Sequence, residues 1–203
     1  MFALIQAAGW PIWPIILASI IALGIIGERL WTLRPGVVAP KGLLSELARE
    51  YRERGVSTEM IARLEQHSPL GQILAAGLKN SSSTREITRG SIEEAGRAVA
   101  HELDRYLTTL GTIASLSPLM GLFGTLIGMI EIFGASAPTS ANNPAQLAHG
   151  ISVALYNAAF GILVAIPSMT FYRYFRAKVD ALVMDMEFQA VKLVEIIHGE
   201  RKN

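Results

Sequence analysis

No cysteine occurs in this chain of 203 residues, which removes disulfides, thiol nucleophiles and thiolate metal sites from consideration. Charge is scarce as well: 17% of residues are Asp, Glu, Lys or Arg, against about 25% in typical soluble domains. Long stretches avoid charge altogether. Residues 1–27 and 106–130 hold none of these four residues, and 132–172 hold only His149 as a side chain that charges near neutrality. The net charge of +1 argues against the basic surface that displaces counterions from nucleic acid, so no nucleic-acid partner is expected. The four histidines (67, 101, 149 and 198) lie far apart without ligand spacing, and neither a metal nor a cofactor is expected. Catalytic signals are missing too. The glycines of Gly121-Leu-Phe-Gly124-Thr125-Leu-Ile-Gly128 are followed by no lysine and sit in apolar sequence, which excludes a phosphate loop. Ser, His and Asp show no hydrolase arrangement, so covalent catalysis is not expected.

What the chain has instead is apolar length. About 20 apolar residues at about 1.5 Å each cross a bilayer core. The two charge-free stretches provide one span each, and 132–172 provides a loop and a third. The fold expected is an all-α integral membrane protein with three transmembrane helices and long cytoplasmic helical extensions, in contact with lipid. A cleaved leader needs a basic start, yet no Lys or Arg precedes Arg29, so the first span is expected to be retained.

Basic residues near span ends stay in the cytoplasm. All 18 Lys and Arg fall within 29–105 or 173–203. The expected topology is therefore an outer or interfacial segment 1–11, span one at 12–33, a cytoplasmic helical domain and stalk at 34–105 and span two at 106–133. An outer loop at 134–144, span three at 145–172 and a cytoplasmic C-terminal helix at 173–203 complete it. Trp10 and Trp13 suit the outer headgroup belt, and Glu28, Arg29 and Trp31 the inner one.

Between spans one and two, Pro35-Gly36 and Pro40 break the chain. An amphipathic helix then runs from Lys41 to about Arg54 with Leu43, Leu44, Leu47 and Tyr51 on one side. A short helix follows over Glu59–Gln66. Ser68-Pro69 reads as an N-cap with proline at N1, opening a helix to about Asn80. Ser83 with Glu86 forms a capping-box pattern. Beyond Thr84 nothing but Pro118 interrupts helix as far as Gly134, which predicts one rod of about 50 residues, because a membrane helix tolerates proline. After span three, Val179, Val183, Met186, Ala190, Leu193 and Ile197 continue an apolar helical stripe.

Helix arithmetic places the small residues. At about 100° per residue, Ser117, Gly121, Gly124, Thr125, Gly128 and Glu131 fall within roughly 120° of one another. Gly150, Ala154, Asn157, Gly161, Ala165 and Ser168 fall within roughly 80°. Small residues let helices approach closely, and polar ones bond across helices or line water. The stripes are open to both uses: packing by Gly121, Gly124, Gly128, Gly150, Ala154 and Gly161, and a polar path past Ser117, Thr125, Ser152 and Asn157. Glu131 is the only Asp, Glu, Lys or Arg between Arg105 and Arg173, close enough to the outer loop to sit at an outer mouth or in headgroup water. His149 lies across the loop from it.

Ser115 to Ile130, with Pro118, Gly121, Gly124, Thr125 and Gly128, closely resembles the second-span motif of the MotA/TolQ/ExbB proton-channel family. Gly150 to Pro167, with Ala154, Gly161 and Ala165, resembles its third-span motif, and Glu28-Arg29 resembles its inner-interface pair. The resemblance covers nearly the whole chain. Three spans and a cytoplasmic domain of about 70 residues fit the ExbB and TolQ branches better than the four-span MotA branch. It implies an oligomeric helical bundle, an inner-membrane homopentamer around an ExbD- or TolR-like single-span partner whose membrane Asp carries protons. It further implies work passed to a TonB- or TolA-like protein, with Thr125 matching the pore-facing threonine. ExbB is the branch most resembled. Two positions depart from the family pattern: Val153 stands where ExbB has a glutamate, and Ala158 where a threonine is usual. Both are expected to approach the path.

Overall fold

A computed structural model of the protein describes residues 8–134 and 144–198. Most of the expected outer segment 1–11, nearly all of the loop 134–144 and the last five residues lie outside the described residues. Eight helices are described: α1 (Ile12–Thr32), α2 (Pro35–Val38), α3 (Leu43–Arg54), α4 (Thr58–His67), α5 (Pro69–Lys79), α6 (Arg85–Leu103), α7 (Leu107–Gly134) and α8 (Pro144–Ile197). Three helical stretches, Ile12–Thr32, Arg85–Glu131 and Ala148–Ile197, are long and apolar enough to cross a membrane. Contacts divide the chain into two units: residues 1–28 with 106–174, and residues 29–105 with 175–203.

The second unit follows the rules of a water-soluble helical domain. Ser57 caps α4, its side chain accepting from the Met60 amide at 3.1 Å, and Ser68 caps α5 in the same way from Gly71 at 3.1 Å. Each bond satisfies one of the amides that a helix start leaves without a carbonyl. Pro69 occupies the first turn, where its missing N–H costs nothing. From α3 to α5 the core takes Leu47, Met60, Leu64, Leu70, Ile73, Leu74 and Leu78, and from α8 it takes Phe175, Val179, Leu182, Met186, Ala190 and Leu193. Fully burying one such large apolar side chain contributes about 1.5–3 kcal/mol. Glycines set the closest approaches. A methyl group at Gly71 would collide with the Leu64 carbonyl, and one at Gly77 would lie 2.8 Å from Ile92.

Three expectations for this unit need correction. Residues 35–38 form a short helix, Pro serving as its first residue, where a simple break was expected. The N-cap of α6 is Thr84, with no side-chain cap bond, so Ser83 and Glu86 form no capping box. The Thr88 hydroxyl instead donates to the Asn80 carbonyl at 2.8 Å and ties the linker to the helix. The rod predicted from Thr84 to Gly134 is interrupted by a turn at Asp104–Tyr106, where Tyr106 takes φ 65°. Two arginines hold the end of α6 and the first residue of that turn. Buried Arg29 donates from Nη1 to the Leu103 carbonyl at 3.3 Å, placing a cation where the α6 dipole ends negative. Arg176 donates to Asp104 Oδ2 at 2.7 Å.

The first unit has the opposite surface. Leu17, Ile20 and Leu23 of α1, Leu119, Leu122, Leu126 and Ile130 of α7, and Leu155, Leu163 and Ile166 of α8 are all exposed. A soluble protein rarely shows apolar area on this scale, whereas lipid or neighbouring helices cover it at no cost.

Candidate functional site: the seam between α7 and α8

The two small-residue stripes face each other. A methyl group built on Gly121 would lie 2.7 Å from the Asn157 carbonyl, one on Gly128 2.9 Å from the Gly150 carbonyl, and one on Gly161 2.5 Å from the Ser117 carbonyl. Glycine on both sides lets backbone meet backbone, the arrangement small residues permit in membrane helices. At Gly124 the neighbour is a side chain: an added Cβ would lie 2.5 Å from the Asn157 Cβ. Asn157 fills the hollow that Gly124 leaves.

The polar residues divide into two groups. Ser117 and Asn157, expected on a water path, have no exposed surface; they lie inside the seam of this one chain. Ser117 turns its hydroxyl back to the Ile113 carbonyl at 2.7 Å, the usual way a helix satisfies a buried serine. Asn157 donates from Nδ2 to the Val153 carbonyl at 2.9 Å and to the Ala8 carbonyl at 2.7 Å. Its Oδ1 is buried without a partner. Thr125 and Ser152, in contrast, are half-buried and reach the surface of the chain. Their hydroxyls donate to Leu122 at 2.6 Å and Ala148 at 2.8 Å, leaving oxygen lone pairs to accept from outside.

Of the two departed positions, Ala158 is half-buried and Val153 is 3% exposed, so Val153 presents no free face. Its neighbour is the N-terminal segment: a Cβ on Gly9 would lie 3.9 Å from Val153 Cγ1. Glu131 and His149 are exposed, as is Glu28, whereas Arg29 is buried. Sequence reasoning did not anticipate the Ala8–Asn157 bond or the Asp104–Arg176 pair. A lone amide in an apolar span was the available signal for the first. The second joins residues 72 apart and has no local signature.

Residues 65–188 match the MotA/TolQ/ExbB proton channel family. The chain is 28% identical over 170 residues to the biopolymer transport protein exbB1 of Vibrio cholerae, covering 81% of this chain and 74% of that one. It is 30% identical to the biopolymer transport protein ExbB of Salmonella typhimurium over 68% of this chain and 54% of the relative. It is also 30% identical to the Tol-Pal system protein TolQ of Pseudomonas aeruginosa over 84% of this chain and 73% of the relative. With three apolar helical stretches and glycine-lined contacts between the second and third, the chain belongs to the MotA/TolQ/ExbB proton channel family.

Proposed function

We propose that this chain is an ExbB-type subunit of an inner-membrane motor that uses the proton gradient to energise TonB-dependent outer-membrane transport. Five copies surround the single-span helices of an ExbD-like protein, whose membrane Asp takes up and releases protons. A TonB-like protein carries the work onward. The N-terminus and the 134–144 loop face the periplasm, and 34–105 and 173–203 face the cytoplasm, in line with the basic residues. Thr125 and Ser152 line the path; Ser117 and Asn157 support it from within the subunit.

The observation that carries this reading is the charge content of the seam. Between Arg105 and Arg173 the sequence holds a single carboxylate, Glu131, and it lies exposed near the end of α7. A proton path needs a titrating group at membrane depth, and this polypeptide supplies polar oxygens but no acid there. The acid comes from another chain. The test is proton flux into liposomes, driven by a potassium diffusion potential. Flux is expected only when the single-span partner is reconstituted with this chain. Equal flux without the partner refutes the reading.

The likeness to TolQ supports a second assignment, a subunit of the Tol envelope system with TolR- and TolA-like partners. Complementation separates the two: restored siderophore uptake in a strain lacking ExbB supports the first, and restored detergent resistance in a strain lacking TolQ the second. A passive scaffold, the third possibility, predicts transport that persists after the proton gradient is collapsed.

A further inference from the structure

We infer that Asn157 is a positioning residue which straps the N-terminal segment across the α7–α8 seam and so fixes the spacing of the two helices. This inference rests on the proton-channel reading only for its functional consequence. Three contacts place residues 8–10 over both helices at once. The Asn157 amide donates to the Ala8 carbonyl at 2.7 Å. Val153 lies beside Gly9, with Cγ1 3.9 Å from where a glycine Cβ would be. Trp10 meets Phe123 of α7 edge to face, ring centres 6.2 Å apart. The first two contacts are to α8 and the third is to α7.

Local chemistry makes the strap possible. Gly9 takes φ 72°, in the left-handed region that favours glycine, and this turns the chain from Ala8 into the start of α1. Ala8 is fully buried. Its carbonyl needs a donor, and among the described residues no turn or cap amide supplies one. Asn157 supplies it, and the same Nδ2 also bonds Val153. The other end of that amide, Oδ1, has no partner although it is buried. An asparagine here therefore leaves one polar atom unsatisfied, and a leucine of similar size would not. What the amide provides and leucine lacks is the donor to Ala8. Because the Asn157 side chain fills the hollow over Gly124, one residue holds the strap with its tip and separates α7 from α8 with its body.

Absence of native cysteine makes the test clean. In membranes from cells expressing the full chain, Ala8→Cys is labelled with a membrane-impermeant maleimide, with and without Asn157→Leu. Labelling is expected to quicken about tenfold in the double variant, the population change that losing one buried hydrogen bond produces. Equal rates overturn the strap, whatever the chain conducts. Should Asn157→Leu prevent insertion, the pair Ala8→Cys with Asn157→Cys answers instead. Oxidation is expected to join the two thiols and protect them from a polyethylene glycol maleimide until reduced. Failure to join overturns the strap. For the positioning role, proton flux through the complex is expected to fall several-fold in Asn157→Leu and to recover in the oxidised cysteine pair but not the reduced one. Unchanged flux in Asn157→Leu, or no recovery on oxidation, overturns that role. A parent complex without flux speaks against the channel reading and leaves the labelling result intact.

Discussion

Gly161→Ala is the smallest change that tests how the seam is built. The added methyl would lie 2.5 Å from the Ser117 carbonyl oxygen, 3.0 Å from Gly121 Cα and 3.2 Å from Gly121 N. All three atoms belong to backbone, so no side chain can rotate away. Restoring ordinary contact requires α7 and α8 to separate locally by about 1 Å, which also weakens the dispersion contacts on either side. Overpacking of this kind costs about 1–3 kcal/mol, and the all-backbone contact places Gly161→Ala in the upper half of that range. The assay is SDS-titrated unfolding of the purified protein in detergent, followed by circular dichroism. Gly90→Ala is the control, because Gly90 lies within α6 with nothing near its missing Cβ. There the better helix propensity of alanine is expected to stabilise by about 0.5–1 kcal/mol. If Gly161→Ala unfolds at the parent's SDS fraction, or moves the same way as the control, the glycine-to-backbone account of the seam is wrong.

Other substitutions probe separate features. On the proposed function, Thr125→Val, which keeps the volume of a half-buried side chain and deletes its hydroxyl, should lower proton flux through the proposed complex several-fold while that complex still elutes intact on size exclusion. Unchanged flux would assign Thr125 to packing. Ser68→Ala removes the cap that accepts from Gly71 and should destabilise the unit of residues 29–105 and 175–203 by about 1 kcal/mol in chemical denaturation. Ser68→Asp retains an acceptor at that position and should recover most of the loss.

Much of this protein was legible because its signals are local. Charge-free runs marked the apolar helices, the first of which, α1, covers Ile12–Thr32. Ser68 and Pro69 marked the start of α5 because a cap bonds an amide only a few residues away; the Ser57 cap of α4 was not read from the sequence. Periodicity marked the stripe from Val179 to Ile197, whose members Val179, Met186, Ala190 and Leu193 are buried. The turn at Asp104–Tyr106 was not legible. Glu102-Leu-Asp-Arg-Tyr contains neither proline nor glycine, and a tyrosine at φ 65° is uncommon. The bonds gathered there come from Arg29 and Arg176, more than 70 residues away in each direction.

The sequence alone determined which residues share a helical face, since that follows from 3.6 residues per turn. It did not determine what covers the face. Ser117 and Asn157 lie on the same stripes as the glycines, and periodicity treats a stripe that meets its own chain and one that meets water alike. Only the tertiary structure turned those two residues into the seam and left Thr125 and Ser152 at its edge. The reason is physical. Burial belongs to a pair of surfaces, and the partner surface here, the Ala8 carbonyl included, comes from distant parts of the chain.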